Sequence, residues 1–239
     1  MFKYLGGKSR ISNYLINYMS AVRHDGMTWV EPFMGSGKVL LNVKGPRIGN
    51  DINHELIALF KAVQTGYMPP SVITEEQYKH MKENQKLYPD HLKGFVSFAC
   101  AFGGMRWATY ARDSKNTNYA DLGRRNIIKN KKKLTGVKLY SCDYKELPIP
   151  DNSLIYCDPP YINTKGYGFD FNHDEFYDWC EAKAKDGHLV FISEYQAPKK
   201  FKIVWSKEVS VTVHNKKVNY KTENLYRVHD EQPFRLMSY

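Results

Sequence analysis

The chain has 239 residues, 42% hydrophobic and 14% aromatic, enough for one domain with a modest insertion and a sizeable core. Its net charge of +10 favours a polyanionic partner, with a plain basic enzyme as the alternative. No apolar run approaches a membrane span, the first residues carry no secretory apolar stretch, and the four cysteines are widely spaced with no Cys-x-x-Cys. A disulfide scaffold is thereby excluded; free thiols, no metal and a cytoplasmic location are expected.

The first ten residues hold Tyr4-Leu5-Gly6-Gly7-Lys8-Ser9. This is the tail of a Walker A pattern, but Phe2 stands where its upstream glycine belongs and no strand precedes it. Two readings stay open: a Gly-Gly loop whose N–H groups and Lys8 face an anion, or a tight turn capped by Ser9 before a helix over 11–19. Next, Thr28-Trp29-Val30-Glu31-Pro32-Phe33-Met34-Gly35-Ser36-Gly37, followed by Val39-Leu40-Leu41, reads as strand, glycine-rich turn and helix. Leu40 replaces the third glycine of a dinucleotide fingerprint, and Pro32 and Val39 break a P-loop. A short second strand ends at Asn50-Asp51. An acid there suits the two hydroxyls of a ribose, or caps a helix beginning near His54.

Leu56, Leu59, Phe60 and Val63 recur at helical spacing. Pro69-Pro70 interrupts, and helices are expected again over 74–87 and 91–101, as an insertion into a sheet domain. The segment 103–133 holds nine Lys/Arg against two acids, a surplus of seven out of the chain's net +10. Residues 105–110 and 118–122 are expected as the arms of a basic hairpin, with Trp107, Tyr110 and Tyr119 interleaved. Cations for phosphates and ring faces for bases suit nucleic acid; a solvated basic loop is the plain alternative.

Strands return at Val137–Tyr140, ahead of Ser141-Cys142-Asp143-Tyr144, and at Leu154–Cys157. The latter runs into Asp158-Pro159-Pro160-Tyr161. Neither proline can donate to a sheet ladder, so the strand stops abruptly. A carboxylate, carbonyls without competing N–H groups and an aromatic ring are left at the C-terminal edge, where open α/β sheets bind ligands. A carboxylate and a carbonyl can hold a planar amine by its two hydrogens while the ring stacks on the attached heterocycle. The plain alternative is a proline-terminated strand with a solvated Asp. A loop over 163–172 that could fold over a substrate, a helix over 174–185, a strand over 188–193 and antiparallel strands over 201–213 and 225–229 complete the chain.

In this order, Gly6-Gly7-Lys8, Pro32-Phe33-Met34-Gly35-Ser36-Gly37, Asp51, an inserted segment and Asp158-Pro159-Pro160-Tyr161 resemble the D12-class, or Dam-like, DNA adenine-N6 methyltransferases over nearly the whole length. The resemblance implies an α/β fold: a Rossmann-like class I methyltransferase sheet with antiparallel C-terminal strands and an inserted, mainly helical, target-recognition domain with a basic hairpin. Residues 1–55 with 136–239 would form the catalytic domain and 56–135 the insert. The implied reaction moves a methyl group from S-adenosyl-L-methionine to N6 of a flipped-out adenine in double-stranded DNA, without a metal. By position, Tyr4 and Lys8 would flank the cofactor, Phe33, Gly35 and Gly37 would line the turn beside its methionine part, Asp51 would hold the ribose, and Tyr144 would lie beside the cofactor adenine. Asp158 would stand between cofactor and target amines, Pro159 would accept from the target amine, and Tyr161 would stack on the base. Lys3 and Arg106 fall where Dam-type enzymes contact guanine, and Arg112, Arg124 and Arg125 are further DNA-binding candidates. A monomer is expected, with a cognate restriction endonuclease among the partners the family admits. An RNA adenine-N6 methyltransferase and a non-catalytic DNA-binding protein of the same fold are the rivals; intact Lys8, Asp51, Asp158 and Tyr161 favour the enzyme.

Overall fold

Short apolar runs bounded by Gly, Pro and Asn become strands in this protein, and side-chain caps set most of the helices between them. The structure, a computed structural model, describes residue 4 and residues 6–161, 171–212 and 218–228. Among the described residues, seven strands with helices make a mixed α/β fold, consistent with the Rossmann-like methyltransferase class expected. The chain divides into two compact units, Met1–Pro148 and Ile149–Tyr239.

In the first unit, helix α1 (Ser12–Val22) buries Leu15 and Met19. Its N-cap is Ile11 with no side-chain cap bond, so Ser9 does not cap it; the Lys8 carbonyl receives Ile11 N and Ser12 N instead. Strand β1 (Trp29–Glu31) is buried throughout. After the glycine turn the expected helix is a single 3₁₀ turn, Leu40–Asn42. The chain must re-enter the sheet within a few residues at β2 (Arg47–Asn50), which leaves no length for α-helix. Helix α2 (His54–Gln64) is capped by Asn53, whose side chain accepts from Leu56 N at 3.0 Å; Asp51 is therefore not the cap.

Helix α3 (Glu75–Glu83) opens with a reciprocal Thr74–Gln77 capping box and is followed by a 3₁₀ turn at Gln85–Leu87. Helix α4 (Asp90–Ala99) crosses α2 at Gly94. A Cβ on Gly94 would stand 2.1 Å from the Glu55 carbonyl oxygen, so the two backbones touch there. Residues 118–122 are not a hairpin arm. Asn118 caps helix α5 (Tyr119–Asn130), accepting from Asp121 N, and Ala120, Gly123 and Ile127 form its buried face. The small residues allow close packing: a Cβ on Gly123 would lie 2.9 Å from Ala99 Cβ on α4. A tight reversal does exist earlier, where Phe102 N bonds Thr109 O and Ala111 N bonds Cys100 O. A 3₁₀ turn, Lys131–Leu134, leads into β3 (Val137–Tyr140). The three strands are parallel in the order β3-β2-β1, so Glu31, Asn50 and Tyr140 end at one edge.

In the second unit, β4 (Leu154–Cys157) is wholly buried and pairs in parallel with β5 (Leu189–Glu194). Between them in sequence, helix α6 (His173–Lys185) is capped by Asn172 and buries Phe176, Tyr177 and Cys180. Strands β6 (Lys202–Thr212) and β7 (Val218–Arg227) are antiparallel, and β7 lies between β5 and β6. Tyr156 and Ser193 share a buried hydroxyl–hydroxyl bond of 2.8 Å across β4 and β5. All four cysteines are free. Among the described residues no helix is long and apolar enough to cross a membrane.

Candidate active site

The C-terminal edge of the three parallel strands in the first unit gathers most of the expected cofactor residues. Asp51, directly after β2, is 9% exposed and sits at the centre of a set of backbone bonds. Its Oδ2 accepts from Gly35 N and its Oδ1 from Asn53 N, both at 2.9 Å, while its carbonyl accepts from Ser141 Oγ at 3.0 Å. Burial pushes the carboxyl up to about 6, and the two N–H bonds pull the other way. Gly35 has φ +46°, and a Cβ there would stand 2.9 Å from Cε1 of Tyr4, so the Tyr4 ring lies against the turn. Gly37, also at positive φ, closes the turn through its N–H to the Met34 carbonyl. The Phe33 and Tyr144 rings lie 5.3 Å apart, tilted at 40°. Lys8 is buried near the start of the chain and its Nζ reaches the Gly6 carbonyl at 3.4 Å.

One residue behind this edge escaped sequence reasoning. Asn50 is fully buried, and its Nδ2 donates to the Pro32 and Cys142 carbonyls, both at 3.0 Å, while its Oδ1 accepts from Cys142 N at 3.1 Å. It ties the loop after β1 to the loop after β3 and so holds Phe33 and Tyr144 in place. An amide inside a strand otherwise bound for burial was the available signal.

In the second unit, the motif stands at the end of β4. Asp158, Pro160 and Tyr161 are half-buried and Pro159 is buried. The Pro160 carbonyl is bonded to His173 Nε2 at 3.0 Å, which pins the motif to the first residue of α6. Among the described residues nothing donates to the Pro159 carbonyl. Tyr161 donates its phenol hydrogen to Glu223 Oε1 on β7, and its ring meets that of Tyr195 edge-on at 4.6 Å. Burial, then the charges of Asp158 and Glu223, hold the Tyr161 phenol well above its ordinary range, so it stays a donor. Neither His173 nor Glu223 was visible from sequence, because each meets the motif only after the chain has folded.

Three of the expected DNA contacts, Arg106, Arg112 and Arg125, are engaged in ion pairs. Lys3 lies outside the described residues, as do residues 163–170 of the loop expected to fold over a substrate. Arg106 donates Nη2 to Glu55 Oε2 at 2.8 Å, and Lys93 Nζ holds Glu55 Oε1 at 3.3 Å. Glu55 is buried, so both cations neutralise a carboxylate in the α2–α4 crossing. Arg112 pairs with Glu75, and Arg125 with Asp121 at 2.8 Å, both on exposed faces; Arg124 is half-buried. His54, Glu55 and Asp90 bring possible ligand atoms within 4.8 Å of one another. Lys93 already bridges the two acids of that group, at 3.3 and 2.8 Å, which makes it an ion-pair network.

Comparison with known proteins gives the family of the chain. The family described as D12 class N6 adenine-specific DNA methyltransferase matches residues 4–98 and 104–235. Among solved structures, the proposed methylase HI0767 from Haemophilus influenzae aligns at 9% identity over 92% of this chain and 89% of that one, with a TM-score of 0.35. SMU.472, a proposed methyltransferase complexed with SAH, aligns at 11% identity over 96% of this chain, which spans 56% of that protein's length, with a TM-score of 0.33.

Proposed function

Because the chain belongs to the D12 class of N6 adenine-specific DNA methyltransferases, we propose that it transfers a methyl group from S-adenosyl-L-methionine to N6 of an adenine flipped out of double-stranded DNA. The observation that carries this reading is the tip of β4: a carboxylate and a proline carbonyl, which no donor reaches among the described residues, beside an aromatic ring held at its hydroxyl by Glu223.

The residues of the first unit fit the methyl donor. Asp51 is a buried acceptor poised at a strand edge, and its two N–H bonds leave each oxygen a further lone pair for ribose hydroxyls. The positive-φ glycines let the backbone come close beside Tyr4, and Phe33 with Tyr144 supplies aromatic surface for a purine. Lys8 would offset the donor's carboxylate. The sulfonium, when bound, supplies an already activated methyl group.

The protein's task is then to make the adenine amine nucleophilic. Its lone pair is delocalised into the ring. Hydrogen bonds from the amine to Asp158 and the Pro159 carbonyl favour a pyramidal nitrogen and aim the lone pair, which is positioning plus electrostatics. Tyr161 replaces the stacking that the base loses on leaving the duplex. Residues 56–135 would serve as the target-recognition region, with Arg112, Arg124 and Arg125 on phosphates. Arg106 would have to divide its donors between Glu55 and a base.

Tritiated-methyl transfer tests the reading. Wild-type protein should label adenine-containing duplexes and leave adenine-free ones unlabelled. Asp158→Ala should lower kcat at least a thousandfold while DNA binding stays within severalfold. Equal transfer by the variant would sink the assignment.

A further inference from the structure

We propose that Glu223 is a positioning residue for the reaction: through the phenol of Tyr161 it sets the plane of the ring that receives the target base. The inference rests on the adenine-methyltransfer reading above and adds a residue that the motif does not contain.

Glu223 sits on β7, opposite Lys207 of β6, and is only 4% exposed. Its Oε1 accepts the hydrogen of Tyr161 Oη, across 62 residues of sequence. A buried carboxylate is costly unless it has a specific donor. The donor here is reliable, because burial and the neighbouring charges of Asp158 and Glu223 keep the phenol protonated. A tyrosine ring has two free torsions. The backbone of Tyr161 is led in rigidly by two prolines, with the Pro160 carbonyl tied to His173 at 3.0 Å. The far end of the ring is tied by Glu223. Its flank is closed by the Tyr195 ring at 4.6 Å and 82°.

Tyr195 is itself held from β7. Asn224 Nδ2 donates to its carbonyl at 2.9 Å, and Lys221 Nζ lies 4.5 Å from the centre of its ring. Residues 221, 223 and 224 of one strand thus fix both Tyr161 and the ring beside it. A leucine at position 223 would fill the same interior more cheaply. What it could not do is hold a hydroxyl, and a stacking platform that swings by even ten or twenty degrees loses the base.

The test compares Glu223→Gln, Glu223→Leu, Tyr161→Phe and the Glu223→Leu/Tyr161→Phe double variant. Each is read by kcat and KM per folded protein, with the fraction folded taken from thermal melting. Base extrusion is followed by the fluorescence of 2-aminopurine at the target position. Glu223→Gln keeps an acceptor and should stay within about threefold of wild type. Glu223→Leu and Tyr161→Phe should each lower kcat roughly ten- to a hundredfold, with the KM for S-adenosyl-L-methionine unchanged and the 2-aminopurine signal altered; the double variant should lose no more than either single one. A structural role alone would instead lower the melting temperature and the folded fraction without moving kcat of the folded protein. An active wild type whose folded Glu223→Leu variant keeps full kcat overturns this inference alone. A wild type that transfers no methyl to adenine overturns the functional reading and this inference together.

Discussion

At the scale of single residues, Asp51 is held where its charged form is disfavoured. Burial pushes its carboxyl up to about 6, against 3.8 for the ordinary group. The folded state therefore binds the extra proton between these values, and stability falls as pH rises through that window. At neutral pH the ionised Asp51 costs the fold about 3 kcal/mol. Chemical denaturation of wild type and Asp51→Asn should show it: from pH 7 to pH 4 the wild type should gain roughly 2 kcal/mol relative to the variant. If the carboxylate accepts ribose hydroxyls, as proposed, calorimetry should show S-adenosyl-L-methionine binding weakening below about pH 6, by up to tenfold per pH unit. Binding to Asp51→Asn should be weak and flat over the same range. The destabilising charge and the binding function are then the same atoms.

At the scale of elements, what was legible followed from how local the determinants are. The strand Leu154–Cys157 and its proline stop read correctly because the apolar run and the missing N–H groups lie side by side in the chain. Helix α2 read correctly because its buried face is made of large residues at regular spacing. Helix α5 was mistaken for a hairpin arm because two of its three buried positions are Ala120 and Gly123, too small to register as an apolar stripe; the role of Gly123 appears only against Ala99 and Phe95 of α4. The partners of Glu223 and Asn50 were illegible for a related reason, since those of each come from distant parts of the chain. The α2–α4 crossing gives a prediction at this scale. Gly94→Ala would gain about 1 kcal/mol of helix propensity, but its Cβ would meet a backbone carbonyl that cannot swing aside. Overpacking wins, and the variant should be about 1–3 kcal/mol less stable, with a melting temperature lower by several degrees.

At the scale of the whole molecule, the last three cations of the basic stretch have a definite place. Lys131, Lys132 and Lys133 precede β3, and Arg47 at the start of β2 donates to the Lys133 and Thr135 carbonyls at 3.0 and 3.1 Å. These cations stand at the N-terminal edge of the parallel strands, a strand length of about 13 Å from the edge that carries Asp51 and Tyr144. Replacing all three lysines with glutamine should weaken binding to any duplex alike and flatten its salt dependence, by roughly 0.9 in log–log slope for each phosphate no longer neutralised. Methyl transfer at saturating DNA should be unchanged, as fluorescence anisotropy and steady-state rates would report. The proline-terminated tip of β4 bears on fidelity as well. It offers acceptors and no proline N–H, so on the proposed reading it greets an amine and repels an oxo group. Hypoxanthine, the product of adenine deamination, would set its own oxygen against a carboxylate and a carbonyl, and has no exocyclic amine to donate to either. A mutated letter of the genome would thus be passed over by the enzyme that marks the intact one.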